Sequence, residues 1–258
     1  MKSPFLYLII GLAFTVTAEN EKPVLKFGYT EACPHMCPNE ENQGFTTDIA
    51  RSIFVEQFGY TVEFYALPWA RAVADVAKGE LHGVLSAGKD ETPELWFPER
   101  EIAVQSDCFI GLASDNWVAG DIYSFLNRRT IVFKGWANES AYRAALGSSQ
   151  YEELFDDFSI DSRYMERVVN MVKLGRADAF WMDVNVYAYY QQRYPQLFDA
   201  QLKNLGCIKF QYLYLAFSPA FEQLSAQLMA EFDEGMQQLR KTGDLVSILQ
   251  RYGVQDWH

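Results

Sequence analysis

Residues 61–87 read TVEFYALPWARAVADVAKGELHGVLSA, and this stretch decides the fold class. Thr61–Tyr65 is β-branched and aromatic, as a short strand requires. A helix follows Pro68 from about Trp69 to Lys78, with Val73, Val76 and Ala77 inward and Gly79 at its stop. Gly83–Ala87 is again an apolar strand. Strand, helix and strand in that order form a crossover unit, and such units build mostly parallel sheets flanked by helices.

The same grammar extends in both directions. Val24–Tyr29 alternates apolar and polar residues and is expected to be the first strand. Asp48, after Thr46-Thr47, suits a helix cap, and Ile49, Ile53, Phe54 and Phe58 recur at helical spacing until Gly59. Ile102–Ala113 reads as a longer strand. The pattern then restarts: strand Thr130–Phe133, helix Glu139–Leu146, a second short helix Tyr151–Phe158, helix Tyr164–Leu174, strand Ala177–Met182 and helix Val184–Arg193. Gly206–Ser218 is extended, and a long helix after Pro219 carries Phe221, Leu224, Leu228, Phe232, Met236 and Leu239 on one face. Two α/β units joined by two long extended segments imply a chain that crosses between lobes near Trp117 and returns near Tyr212. The expected organisation is residues 1–18 as an address, 19–117 plus 213–258 as lobe 1, and 118–212 as lobe 2.

Composition narrows the function. The chain has 258 residues, 49% hydrophobic and 22% charged, which excludes wholesale disorder. A formal charge of −12 argues against nucleic acid, whose phosphates require a basic face. Lys2, the apolar run Phe5–Val16 and Val16-Thr17-Ala18 have the form of a secretory signal peptide cut near Ala18. The run is too short for a span, which needs about 20 residues. The mature chain is therefore expected outside the cytoplasm, where Cys33, Cys37, Cys108 and Cys207 can oxidise. Cys33–Cys37 and Cys108–Cys207 form the most economical pairing, since Cys108 lies on the outgoing crossing segment and Cys207 on the returning one. The acid excess falls outside residues 118–212, where acidic and basic residues balance. The simplest account of it is a solvated acidic surface.

Four elements then resemble a known family. Gly44-Phe45-Thr46-Thr47-Asp48 is similar to its "G-F-x-x-D" element. Trp69-Ala70-Arg71-Ala72 with Lys78-Gly79-Glu80-Leu81-His82-Gly83 is similar to "W-x-x-x…G-x-x-D-G/A". Lys134-Gly135-Trp136-Ala137-Asn138-Glu139 resembles "G-T-T-x-E", and Gly175-Arg176-Ala177-Asp178-Ala179 with Asp183 resembles "G-x-x-D-A…D". Each is weak alone, but their order covers nearly the whole mature chain. Together they resemble the family 3 extracellular solute-binding proteins, the amino-acid-binding type serving ABC importers. The resemblance implies a two-lobed periplasmic binding protein that closes on a small polar solute, an amino acid or related amine, and presents it to a membrane permease. A monomer with no cofactor is expected.

Site residues follow from the residues and the resemblance together. Tyr29, Trp69 and Trp136 would offer aromatic faces, and Arg71 a guanidinium fork for a carboxylate. Ser86, Ala87 and Gly88 end a strand where a hydroxyl and backbone N–H groups can hold an anion. Gly135, Trp136 and Asn138 lie just before a helix, at the favourable end of its dipole. Asp183 matches the carboxylate that receives a ligand ammonium. Each position also has a plainer reading: core packing for Trp69, a solvated helix residue for Arg71, a helix cap for Asp183.

Catalysis finds little support. His35, His82 and His258 have no metal-ligand spacing, no phosphate loop or nucleophile elbow is present, and no metal is expected. The enzymatic alternative is a periplasmic dehydratase of small carboxylic acids, with Glu139 as its acid. A soluble sensor lobe is the other alternative. One departure bears on specificity. The family's usual "T-x-E-R" after the serine-rich strand end is replaced by Lys89-Asp90-Glu91-Thr92-Pro93-Glu94, without arginine. The carboxylate clamp would have to be Arg71, Lys89 or absent, so a ligand whose amine matters more than its carboxylate is expected.

Overall fold

The apolar residues of the long extended segments sort into two bodies, and their alternation shows how each body is layered. The computed structural model describes residues 22–37, 42–134, 138–159 and 163–258; the signal-peptide expectation, Gly135 and Trp136 lie outside the described residues. In chain order the elements are β1 Val24–Tyr29, α1 Phe45–Arg51, β2 Thr61–Ala66, α2 Trp69–Ala77, β3 Gly83–Ala87, β4 Ala103–Leu112, β5 Thr130–Phe133, α3 Glu139–Leu146, α4 Ser148–Leu154, β6 Phe155–Phe158, α5 Tyr164–Lys173, β7 Ala179–Asp183, α6 Val184–Arg193, β8 Leu202–Phe217, α7 Glu222–Thr242 and α8 Asp244–Arg251.

The strands run in the order β2-β1-β3-β8-β4-β7-β5-β6. Pairs β1–β2, β1–β3, β5–β6 and β5–β7 are parallel, as crossover units demand. The long strands β4 and β8 pair antiparallel with each other and with their neighbours β7 and β3. The sheet is thus mixed, and its antiparallel part is the two-stranded ribbon carrying the chain from one body to the other.

A strand points successive side chains to opposite faces. On β3, Leu85 enters the large first-body cluster with Phe27, Phe45, Ile53, Phe54, Phe217 and Phe232, while Val84 faces Ala72, Val76, Leu95 and Ala216. On β4, Ile110 packs with Ile131, Val168, Val172 and Phe180, while Phe109 packs with Phe125, Val132, Tyr151 and Leu205. Each body therefore has a sheet covered on both faces. On β4 the first-body cluster ends at Ala103 and the second-body clusters begin at Phe109; on β8 the change falls between Leu213 and Leu205. Trp117 meets Phe125 edge-on and belongs to the second body.

Two local expectations are corrected. Asp48 is not a cap: α1 begins at Phe45, with Gly44 ahead of it at φ +103°, a conformation that glycine alone takes readily. Asp48 instead accepts the Tyr252 hydroxyl at 2.8 Å. The helix continues as a π-helical stretch, Ser52–Gln57, before Gly59 ends it. Residues 151–158 are not one helix either. The helix ends at Leu154, and Phe155–Phe158 pairs with β5 from Thr130↔Phe155 to Phe133↔Phe158. The exposed edge of β5 gives that segment a ladder that local propensity could not announce. No described helix is long and apolar enough to cross a membrane.

Candidate functional site

Polar side chains gather where β4 and β8 leave one body for the other. Gln105 and Gln211 are register partners on the two strands, and the Gln211 amide donates to Gln105 Oε1 at 3.3 Å. The same amide donates to Glu91 Oε1 at 3.2 Å, in the turn just after β3. Gln105 Nε2 donates to Asp107 Oδ1 at 3.1 Å, and Asn138 Nδ2 donates to Asp107 Oδ2 at 2.9 Å. One chain of hydrogen bonds thus runs from the first body's Glu91, over both crossing strands, to the residue preceding α3 in the second body.

Asp107 and Asp183 are register partners on β4 and β7, and both are buried. Asp183 ends β7 and caps α6: its Oδ1 accepts from Asn185 N at 2.9 Å and Val186 N at 3.2 Å. Its Oδ2 accepts from Ser106 N at 2.8 Å. His35 of the first body approaches Oδ1 at 3.3 Å through Nε2, and both side chains are only 4% exposed. Nearby, Tyr142 is pushed up to about 12, first by burial and then by the charges of Asp107 and Asp121.

The remaining expected residues divide. Ser86 sits at the end of β3 at φ +61°, a left-handed backbone unusual for serine, and its buried hydroxyl has no partner among the described residues. Ala87 and Gly88 are buried beside it, and Gly88 O accepts from Thr92 N at 3.2 Å and from the Thr92 hydroxyl at 3.1 Å. Tyr29 is buried in the first-body core, edge-on to Phe64, and burial leads in raising its phenol. Trp69 is half-buried against the smaller first-body cluster. Arg71 is 68% exposed and pairs with Asp75 one turn along its own helix, at 3.5 Å. Lys89 lies over the Tyr214 ring, 4.1 Å from its centre. Glu139 accepts from Arg143 Nε at 2.9 Å. The cysteines pair as Cys33–Cys37 and Cys108–Cys207.

Sequence reading passed over His35, Glu91, Gln105, Asp107 and Gln211. A signal existed for two of them. Gln105 and Asp107 fall two apart in a strand that is apolar on either side of Gln105-Ser106-Asp107, so both face one side of it. Among the described residues no group of three or more His, Cys, Asp or Glu is placed to hold a metal.

No family model matches the chain, and no curated protein matches it in sequence. Its fold has many solved counterparts. A histidine kinase sensor domain with similarity to periplasmic binding proteins superposes with a TM-score of 0.70 at 18% identity, over 92% of this chain and 99% of that one. A probable amino-acid ABC transporter extracellular-binding protein from Bacillus subtilis gives 0.69 at 14% identity, over 91% and 99%. An ancestral amino acid-binding protein, a precursor of cyclohexadienyl dehydratase, gives 0.65 at 16% identity, over 89% and 94%. At such identities the likeness is one of fold: this chain has the two-lobed periplasmic binding protein fold.

Proposed function

We propose that the chain is a solute-binding protein working outside the cytoplasm, which captures a small polar solute between its two lobes and delivers it to an ABC-type permease. The observation that carries this reading is the buried pair Asp107 and Asp183, in register on β4 and β7 beside the ribbon that carries the chain between the two apolar bodies. Binding clefts of open α/β sheets lie beyond strand ends, and Asp183 at the end of β7 and Ser86 at the end of β3 fit that rule from opposite bodies. The lobe assignment that goes with it puts the turnover on β4 and β8 themselves, between Ala103 and Phe109 and between Leu205 and Leu213, so the stretch from Phe109 to Trp117 joins the second lobe and not the first.

The charge of the surroundings favours an amine. Glu91, Asp107 and Asp183 enter the cluster, while Arg71 is exposed and Lys89 lies over an aromatic ring. A solute recognised through an ammonium or guanidinium suits this set better than one held by its carboxylate. A thermal-shift screen of amino acids, polyamines and small acids tests the reading, since a ligand of the folded state raises the melting temperature by mass action. A shift confined to amine-bearing solutes supports it. No shift with any of them, or a shift only with small acids, contradicts it.

The sensor-domain counterpart supports a second reading, in which the same captured solute is reported rather than imported. Deleting the gene separates the two: import predicts lost uptake of the screening hit, whereas sensing predicts intact uptake and a lost transcriptional response.

A further inference from the structure

A carboxylate offers about four acceptor positions, two on each oxygen, and Asp183 makes four contacts within the protein, crowded on Oδ1 and single on Oδ2. Three go to backbone N–H groups of Ser106, Asn185 and Val186, at 2.8, 2.9 and 3.2 Å. The fourth goes to the His35 ring, at 3.3 Å the longest of the set and the only side-chain partner among the described residues. Oδ2 keeps an acceptor position, but the Asp183 side chain is only 4% exposed with His35 packed against it, so a solute ammonium reaches the carboxylate only if His35 moves. On the reading that Asp183 is the solute's anchor, we infer that His35 is a built-in occupant of the amine position, a latch that holds the lobes together and that a solute must displace.

The rest of the loop is built to present this ring. Ala32 and Met36 exchange backbone hydrogen bonds at 2.9 and 3.1 Å, and Cys33 and Cys37 are joined inside that turn. The His35 carbonyl accepts from Thr46 N and the Thr46 hydroxyl, at 3.2 and 2.9 Å, which pins the loop to the start of α1. The ring rests on Phe45, 4.7 Å between centres, and its Nδ1 is buried with no partner among the described residues. A loop tied at three points places a histidine against an aspartate 148 residues away in sequence, in the other body. The bodies also meet beside this contact, around a cavity of about 90 Å³ lined by Cys37, Asn42, Tyr189, Gln192, Arg251 and Tyr252. Displacing the ring gives up one contact of the four and leaves the three backbone donors that fix Asp183. The exchange is selective for solutes that replace the lost donor with a charged one.

The test compares wild type with His35→Ala and His35→Gln, the second keeping a side-chain N–H donor. Solution scattering of the solute-free proteins is expected to show His35→Ala more extended than wild type, with His35→Gln nearer wild type. Calorimetry with L-arginine and putrescine as probes is expected to show tighter binding to His35→Ala, roughly fivefold or more, because a competent state that is a minority lowers apparent affinity by its fraction. Identical scattering of wild type and His35→Ala overturns the latch. Equal or weaker binding by His35→Ala overturns the competition. If neither probe binds any of the three proteins while the scattering differs, the latch stands and the amine-solute reading is what fails.

Discussion

Cys108 and Cys207 stand opposite each other on β4 and β8, their Cα atoms 3.9 Å apart, and their disulfide joins the two crossing strands on the second body's side of the turnover. The bond closes a loop with a sequence separation of 99, whereas Cys33–Cys37 has a separation of 4. In the chain-entropy account a loop near 100 residues contributes about 4.7 kcal/mol and a five-residue loop roughly 2 kcal/mol. Replacing Cys108 and Cys207 together by alanine should therefore lower denaturant stability more than replacing Cys33 and Cys37. Urea unfolding of both double variants checks this; equal losses would show that loop length is not what matters here.

Ser86 holds a left-handed backbone and a buried hydroxyl without a partner among the described residues. An unmade buried hydrogen bond costs ~1–3 kcal/mol, so Ser86→Ala should melt no lower than wild type and gain about 1 kcal/mol. The same change should weaken binding of the screening hit, because strained and unsatisfied groups gather where a ligand completes them. A loss of stability in Ser86→Ala would mean the hydroxyl is already satisfied inside the protein.

The sequence made most elements legible and their bounds nearly so, because each depends on short-range pattern. The helix after Asn138 and the long helix after Pro219 carry apolar residues at helical spacing, and Thr130–Phe133 is a short run of β-branched and aromatic residues. What it hid depends on distant neighbours. Phe155–Phe158 became a strand because β5 offered it an edge. Arg71 looked suited to a carboxylate in one dimension, yet it lies on the exposed face of α2 beside Asp75. Asp183 was visible as a cap and as a ligand carboxylate, but its partner His35 sits 148 residues upstream in a loop with no periodicity to read. Asp107 was visible only as a charge in an apolar strand, and its meaning required the β4–β7 register.

Gly235 lies inside α7, where helix propensity alone favours alanine by about 1 kcal/mol. A Cβ there would come 2.6 Å from Ile53 Cγ2 and 2.8 Å from Cγ1, deep in the first-body core. Overpacking costs ~1–3 kcal/mol, so Gly235→Ala should destabilise rather than stabilise. Thermal unfolding gives the sign directly, and a raised melting temperature would show that Ile53 yields.

His82 accepts Lys26 N–H at 3.0 Å through Nδ1 and stacks on Phe221 with centres 4.8 Å apart. Burial first, and then the Lys26 charge, hold its pKa below 6.5. Between the folded value and 6.5 the unfolded chain binds more protons, so stability rises with pH across that window and is lost as pH falls below about 6.5. His82→Gln should show a smaller stability difference between neutral and mildly acidic buffer than wild type does. The same pH sensitivity in both proteins would remove His82 from the account.

Asp183 joins the fold to the proposed function, and Asp183→Asn separates its two duties. Asparagine caps a helix about as well as aspartate, so α6 keeps its start while the charge is lost. The decisive measurement is titration calorimetry of the strongest amine-bearing hit from the thermal-shift screen, into wild type and into Asp183→Asn shown to be folded by its cooperative melt. Removing a charged partner from a buried hydrogen bond costs ~1.5–3 kcal/mol, so the account predicts a fall in affinity of roughly tenfold or more. Unchanged affinity in the variant would place the solute elsewhere and contradict the account.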